Sequence, residues 1–141
     1  MIAVTTKEWL KRARIIDREI KQLKIAKQEA YDIAVSATID TTKERVQSSS
    51  GNAMEKKYVA LLEYDKSITE QESKLLKCKT EILDAINSVN NDLYRTLLTA
   101  YYINCKSWEE VALELHYDLR WVYRLHGRAL HAIESHYKRM I

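Results

Sequence analysis

The scarcity of turn-forming residues is the feature that most limits the folds open to this chain. Its 141 residues contain no proline and only two glycines, Gly51 and Gly127. A β-rich fold needs frequent tight turns, and glycine and proline supply many of the backbone angles that those turns require. We therefore predict an all-α fold. Charged residues make up 30% of the chain and hydrophobic residues 46%, a balance that favours long amphipathic helices over a thick globular core.

Two long segments carry apolar residues at alternating steps of three and four, the pattern of a heptad seam. The first helix is predicted to start after Thr5 or Thr6, either of which can cap it, and to run to about Ser36; the second runs from about Ala53 to Val89. The first seam consists of Trp9, Ala13, Ile16, Ile20, Leu23, Lys27, Ala30, Ala34 and Ala37, and the second of Met54, Tyr58, Leu61, Asp65, Ile68, Glu72, Leu75, Lys79, Ile82, Ile86 and Val89.

The stretch between the two seams, at about 38–52, is rich in serine and threonine and is predicted to be a loop. The seams fit an antiparallel hairpin within one chain or a coiled coil between subunits, and the pattern does not distinguish these. A second break, NSVNND at 87–92, divides the chain into two predicted domains. Residues 1–90 form the hairpin or coiled-coil region, and residues 91–141 form a smaller helical domain.

The sequence SWEEVALELHYDLRWVYRLHGRAL, which begins at Ser107, has the layout of a helix-turn-helix. Ser107 and Glu110 form a capping box that starts a short first helix. Ala112, a small residue on the inward face of that helix, lets a second helix cross closely. Asp118 can cap the second, longer helix. The three residues between the helices are too few for anything but a tight turn.

Placing successive residues about 100° apart divides this second helix into an apolar and a basic face. The apolar face consists of Val122, Leu125, Ala129 and Ile133, and the opposite face of Arg120, Arg124, Gly127 and His131, flanked by Tyr123 and Arg128. A helix fits the major groove of DNA, and arginine presents a fork that matches the two acceptors on a guanine edge. Such a face is also common on solvated helices, so the arginines alone do not decide between the two.

The frame of this segment aligns without gaps on the region 4 helix-turn-helix of sigma-70-type factors. The shared residues are Glu109-Glu110, Val111-Ala112, Leu115, Val122 and Arg128-Ala129-Leu130. With the preceding LYRTLLTAYYINCKSW, the stretch from Leu93 to Ile133 resembles small phage and prophage late-gene transcription activators of the ArpU/RinA type. The resemblance extends more weakly to the helical stretch that starts with GNAMEKKYVALLE.

The resemblance implies sequence-specific binding of double-stranded DNA, with host RNA polymerase as a second partner. Carried over by position, base reading falls to Leu119, Arg120, Tyr123 and Arg124, while Lys106, Ser107, Arg128 and His131 are expected to hold phosphates. Leu119 stands where arginine is usual, so its contact would be apolar or absent. His116 and Cys105 stand where glycine is common, and the turn at His116 calls for a positive φ, which histidine adopts at some cost.

Nothing in the sequence has the pattern of an enzyme active site or a metal site, so we expect neither an enzyme nor a cofactor. His126, His131 and His136 are five residues apart, which turns each about 140° from the last around a helix. Zinc-binding histidines on helices are usually three or four apart. Cys78 and Cys105 are expected to be reduced, as in a cytosolic protein.

The sequence therefore predicts a DNA-binding transcription regulator in the cytoplasm of a bacterial host, associated with the nucleoid. No apolar run approaches the length that spans a bilayer. One alternative is a DNA-packaging protein of the small-terminase kind, which usually places its reading head before its helices; another is a helical interaction protein that does not bind DNA. We expect a homodimer through the heptad helices. The run Lys7–Lys27, with eight basic and three acidic residues, is interpreted as a solvated face, with DNA-backbone contact as its alternative.

Overall fold

The computed structural model describes residues 5–43 and 49–140, with side chains at 5–36 and 54–139. Its helices are α1 at Thr6–Lys43, α2 at Ser49–Asn87, α3 at Asp92–Leu98, α4 at Trp108–Leu115 and α5 at Leu119–Met140, with a π-helical turn at Thr99–Ile103 between α3 and α4. The described ranges contain no strand. The predicted all-α fold is thus confirmed, with long N-terminal helices followed by shorter C-terminal ones.

Both long helices extend into the stretch that was predicted to be a loop. α1 continues to Lys43 and α2 begins at Ser49, so the loop prediction was wrong for residues 38–43 and 49–52. Serine and threonine cost a helix less than about 0.7 kcal/mol each relative to alanine. Adding residues to an existing helix avoids the cost of nucleation. Residues 44–48 of the predicted loop lie outside the described residues.

The chain divides into two compact units, and each contains part of both long helices. Among the described residues, the first unit comprises 5–17 and 75–140, and the second comprises the described residues between 18 and 74. The predicted domain boundary at residue 90 lies between α2 and α3, inside the first unit. The C-terminal helices therefore share a core with the first turns of α1 and the last turns of α2.

The core of the first unit draws on every element in it. Its fully buried large side chains are Leu10 of α1, Ile82 and Ile86 of α2, Leu97 and Leu98 of α3, Tyr102 of the π-helical turn, Val111 of α4, and Val122 and Ile133 of α5. The predicted apolar face of α5 is confirmed, since all four of its members are buried. Burying one such side chain contributes about 1.5–3 kcal/mol, so this face holds α5 firmly and leaves its opposite side to the solvent.

In the second unit α1 and α2 run antiparallel, with their seams facing each other. Lys27, the one lysine in the first seam, forms an ion pair with Asp65, one of three charged residues in the second seam. Further along α1, Ala34 and Val35 line a groove of about 210 Å³ together with Tyr58 on α2. Residues later in α1 therefore lie beside residues earlier in α2, as in an antiparallel pair of helices. Within the second unit, α1 and α2 therefore form an antiparallel pair in one chain.

Candidate nucleic-acid interface

The start of α4 is fixed by Ser107. Its Oγ accepts a hydrogen bond from the Glu110 amide at 3.2 Å, and its hydroxyl lies 3.3 Å from Glu110 Oε1. This confirms the predicted cap, which satisfies one of the amides left free at a helix start. The hydroxyl is engaged within the chain, so Ser107 acts chiefly by positioning the first-turn amides of α4.

The turn between α4 and α5 is tight and left-handed at one residue. His116 has φ 61° and ψ 37°, and its amide caps the end of α4, as expected for a position where glycine is common. The Tyr117 amide donates to the Ala112 carbonyl oxygen at 3.1 Å. Asp118 Oδ1 accepts from the Trp121 amide at 2.8 Å, which confirms the second predicted cap. These bonds set the angle at which α5 leaves α4.

The side of α5 opposite its buried face carries Arg120 and Arg124, one turn apart and both exposed. Among the described residues, the side chain of neither arginine forms a hydrogen bond or an ion pair. Tyr123 lies beside them with 48% of its surface exposed. Leu119 differs from these three residues, because it is half-buried and packs against the core. Three of the four predicted base-reading residues are thus accessible, and the fourth has a structural role as well.

The other three residues predicted to hold phosphates differ in how far their side chains are already engaged within the chain. Lys106 forms an ion pair with Glu114, so part of its charge is already compensated. The Arg128 guanidinium lies 5.2 Å from the centroid of the Trp121 ring, close enough for a cation–π interaction. The His131 side chain is 89% exposed and lies 3.8 Å from Glu134. Arg128 and His131 lie on the third and fourth turns of α5.

Behind this surface lies an aromatic cluster that the sequence did not reveal. The rings of Tyr101 and Trp108 are stacked, with centroids 3.7 Å apart and an interplanar angle of 10°. The Trp108 ring is also 4.3 Å from His126 and 6.0 Å from Tyr123. Trp108 therefore packs between the π-helical turn and α5.

His126 is a buried structural residue within that cluster. Its Nε2 is hydrogen bonded to the Tyr102 hydroxyl at 2.7 Å, and 7% of its surface is exposed. Burial, together with the charges of Lys7 and Lys11, lowers the pKa of His126 to about 4. Burial also raises the pKa of Tyr102. Both groups are therefore neutral at pH 7, and their bond links α5 to the π-helical turn.

Arg14 of α1 is a second residue whose role the sequence did not show. Its Nη1 donates to the carbonyl oxygens of Tyr101 at 2.8 Å and of Lys106 at 3.0 Å. Its guanidinium lies 4.0 Å from the centroid of the Tyr101 ring. Backbone carbonyl oxygens in a π-helical turn and just after it lack some of the amide donors that a continuous α-helix supplies. Arg14 thus ties α1 to the residue immediately before the Ser107 cap.

Three further features bear on what the described residues can bind. Cys78 and Cys105 are free thiols and form no disulfide with each other, and burial raises the pKa of both. Within the ranges that carry side chains, no group of three His, Cys, Asp or Glu residues is arranged to hold a metal ion. None of the described helices has an apolar stretch long enough to cross a membrane.

A family profile described as "Protein of unknown function (DUF1492)" matches residues 34–134. This range covers more than two thirds of the 141 residues, so the chain belongs to that family. The matched range contains α2, α3, α4 and most of α5. No curated protein and no solved structure matches the chain.

Proposed function

We propose that this member of the DUF1492 family is a sequence-specific DNA-binding transcription regulator whose α4–α5 helix-turn-helix enters the major groove. The observation that carries the proposal is the pair Arg120 and Arg124. Both are exposed on a helix whose other side is buried, and neither has an ionic partner among the described residues. Two arginines held one turn apart on a rigid helix favour recognition of an anionic, hydrogen-bond-accepting surface.

The position of the two arginines on α5 agrees with this use. Recognition helices read base edges mainly with their first turns, and Arg120 and Arg124 lie in the first two turns of α5. A bidentate arginine–guanine contact contributes about 1–3 kcal/mol of discrimination against the wrong base. Tyr123 assists from the flank of the same face. The exposed part of Leu119 can make an apolar contact of the kind that a thymine methyl group accepts.

The phosphate contacts come from groups around this centre. Arg128 and His131 lie further along the exposed side of α5, and the Ser107 cap orients the first-turn amides of α4. Helix N-termini bind phosphates through such amides. Lys106 would have to exchange its bond to Glu114 for one to a phosphate. These phosphate contacts position the protein on the DNA, while Arg120 and Arg124 select the base sequence.

The finer proposal, which the resemblance supports, is a phage late-gene activator that acts with host RNA polymerase in the bacterial cytoplasm, at the nucleoid. Its role is in binding rather than in catalysis.

Homodimerisation is part of this proposal. Because the seams already face each other within the chain, a dimer of hairpins would use outward apolar side chains of the second unit. Ile25, Ile33, Val59 and Leu62 are each more than half exposed and suit that role.

The test is selection of bound sites from random duplexes, carried out with the full chain. We expect a recovered motif that contains guanine, and an affinity that falls as salt rises because phosphate contacts release counterions. The Arg120→Ala, Arg124→Ala double variant should lose the motif. Arg139→Ala, which removes an exposed arginine near the other end of α5, should recover it unchanged. Failure of the wild-type chain to enrich any motif would refute the proposal.

A further inference from the structure

The first three turns of α1 carry a basic stripe that lies against the helix-turn-helix. Lys7, Lys11 and Arg14 follow one another at steps of four and three, so they share one side of α1. Leu10 and Ala13, which alternate with them, are fully buried in the same core as Val122 of α5. α1 and the reading head therefore share one core, which fixes the side of α1 that carries the stripe.

Arg14 gives the orientation of this stripe. Its guanidinium bonds to the carbonyl oxygens of Tyr101 and Lys106, immediately before the first turn of α4. Lys11 and Lys7 lie one and two turns earlier on the same side of α1. Burial and the charges of these two lysines lower the pKa of His126. His126 and Tyr123 both contact the Trp108 ring. Lys7 and Lys11 therefore lie close enough to His126 for their charges to act on its ring, which packs against Trp108 at the start of α4.

Lys7 and Lys11 have no ionic partner among the residues whose side chains the structure describes. Among residues 5–36 and 54–139, neither Lys7 nor Lys11 forms an ion pair, whereas Arg12 pairs with Glu81 and Lys27 with Asp65. Like charges one helical turn apart repel each other. An anion that binds between them would remove that cost.

The start of α4 supplies little uncompensated positive charge. Lys106 is paired with Glu114, and the first turn of α4 carries Glu109 and Glu110. A DNA backbone that passes the start of α4 therefore needs cations from another element. α1 is the element that the packing of Leu10 and Arg14 brings to this position.

We propose that Lys7 and Lys11 of α1 bind phosphates of the DNA backbone beside the groove that α5 enters. This inference rests on the proposed function and extends the interface beyond the helix-turn-helix. It assigns the two amines to affinity and not to sequence reading, because an ammonium group on a flexible stem contacts phosphates as a point charge.

The experiment measures the affinity of the full chain for its selected duplex as a function of salt. The test variant is Lys7→Gln, Lys11→Gln. The matched control is Lys56→Gln, Lys66→Gln, which removes two exposed lysines of α2 in the second unit. Loss of two phosphate contacts should reduce the slope of log affinity against log salt by about 1.8. The ratio of wild-type affinity to test-variant affinity should then fall about 12-fold between 50 and 200 mM salt.

The selected motif should be the same for the wild type and the test variant, and the control should keep the wild-type slope. Lys7→Arg, Lys11→Arg should restore the slope, which separates loss of charge from damage to the fold. A test variant that binds the duplex with the wild-type slope would overturn this inference and leave the proposed function standing. A wild-type chain that binds no duplex would overturn both.

Discussion

Acid is expected to destabilise the first compact unit through His126. The ring is buried and hydrogen bonded to Tyr102, and its pKa is lowered from 6.5 to about 4 by burial and by the charges of Lys7 and Lys11. In the unfolded chain the same ring takes up a proton near pH 6.5. Protonation between these two values therefore favours the unfolded state.

The sign and size of the effect follow from this shift. The folded-state pKa is depressed, so the stability is fully present above pH 6.5 and is lost as the pH falls to about 4. Each pH unit in this window costs about 1.4 kcal/mol. The loss is about 2 kcal/mol between pH 6.5 and 5, and about 3 kcal/mol over the whole window. A loss of this size is a large fraction of the stability of a small domain.

The assay is urea unfolding followed by tryptophan fluorescence at several pH values from 7 to 5. His126→Gln removes the titrating group while leaving an amide that can bond to the Tyr102 hydroxyl. His131→Gln is the matched control, because its side chain is 89% exposed. We expect the wild type and the control to lose about 2 kcal/mol more than His126→Gln over this range. Equal losses in all three proteins would refute the reasoning.

Three further changes test the geometry of the helix-turn-helix. His116→Gly should raise the free energy of unfolding by up to about 1 kcal/mol, because His116 has a positive φ of 61°; His116→Ala should give no gain, and an equal gain would contradict the explanation. Asp118→Ala should lower it by about 1 kcal/mol through loss of the cap on α5, and an unchanged urea midpoint would show that the cap contributes nothing. Ala112→Leu should cost about 1–3 kcal/mol by overpacking the helix crossing and should also weaken duplex binding measured by fluorescence anisotropy, whereas wild-type affinity would show that the crossing tolerates the change.

Features that depend on local pattern were predictable from the sequence. The burial of Val122 and Ile133 followed from helical spacing, because a 3.6-residue period places them on one side of α5. The caps at Ser107 and Asp118 followed from residue type and position. The exposure of Arg120 and Arg124 follows from the same periodicity, since the two lie opposite the buried residues.

Features that depend on tertiary contacts were not predictable in this way. Arg14 looks like any other member of a basic run, and its role appears only when the carbonyls of Tyr101 and Lys106 are brought beside it. His126 lies next to Leu125 on the flank of the apolar face, and nothing in the sequence identifies Tyr102, 24 residues away, as its partner. The C-terminal end of α1 and the start of α2 were predicted wrongly, because weak helix formers extend a helix that has already formed.

The most direct test of the central claim is methylation interference on the selected duplex. Methylation of a guanine at N7 blocks one of the two acceptors that an arginine fork uses in the major groove. We predict that N7 methylation at one or two guanines of the motif abolishes binding by the wild type. Binding by Arg124→Ala should become insensitive to methylation at one of these guanines, while Arg139→Ala should keep the full pattern. Binding that no guanine N7 methylation affects would contradict major-groove reading by α5.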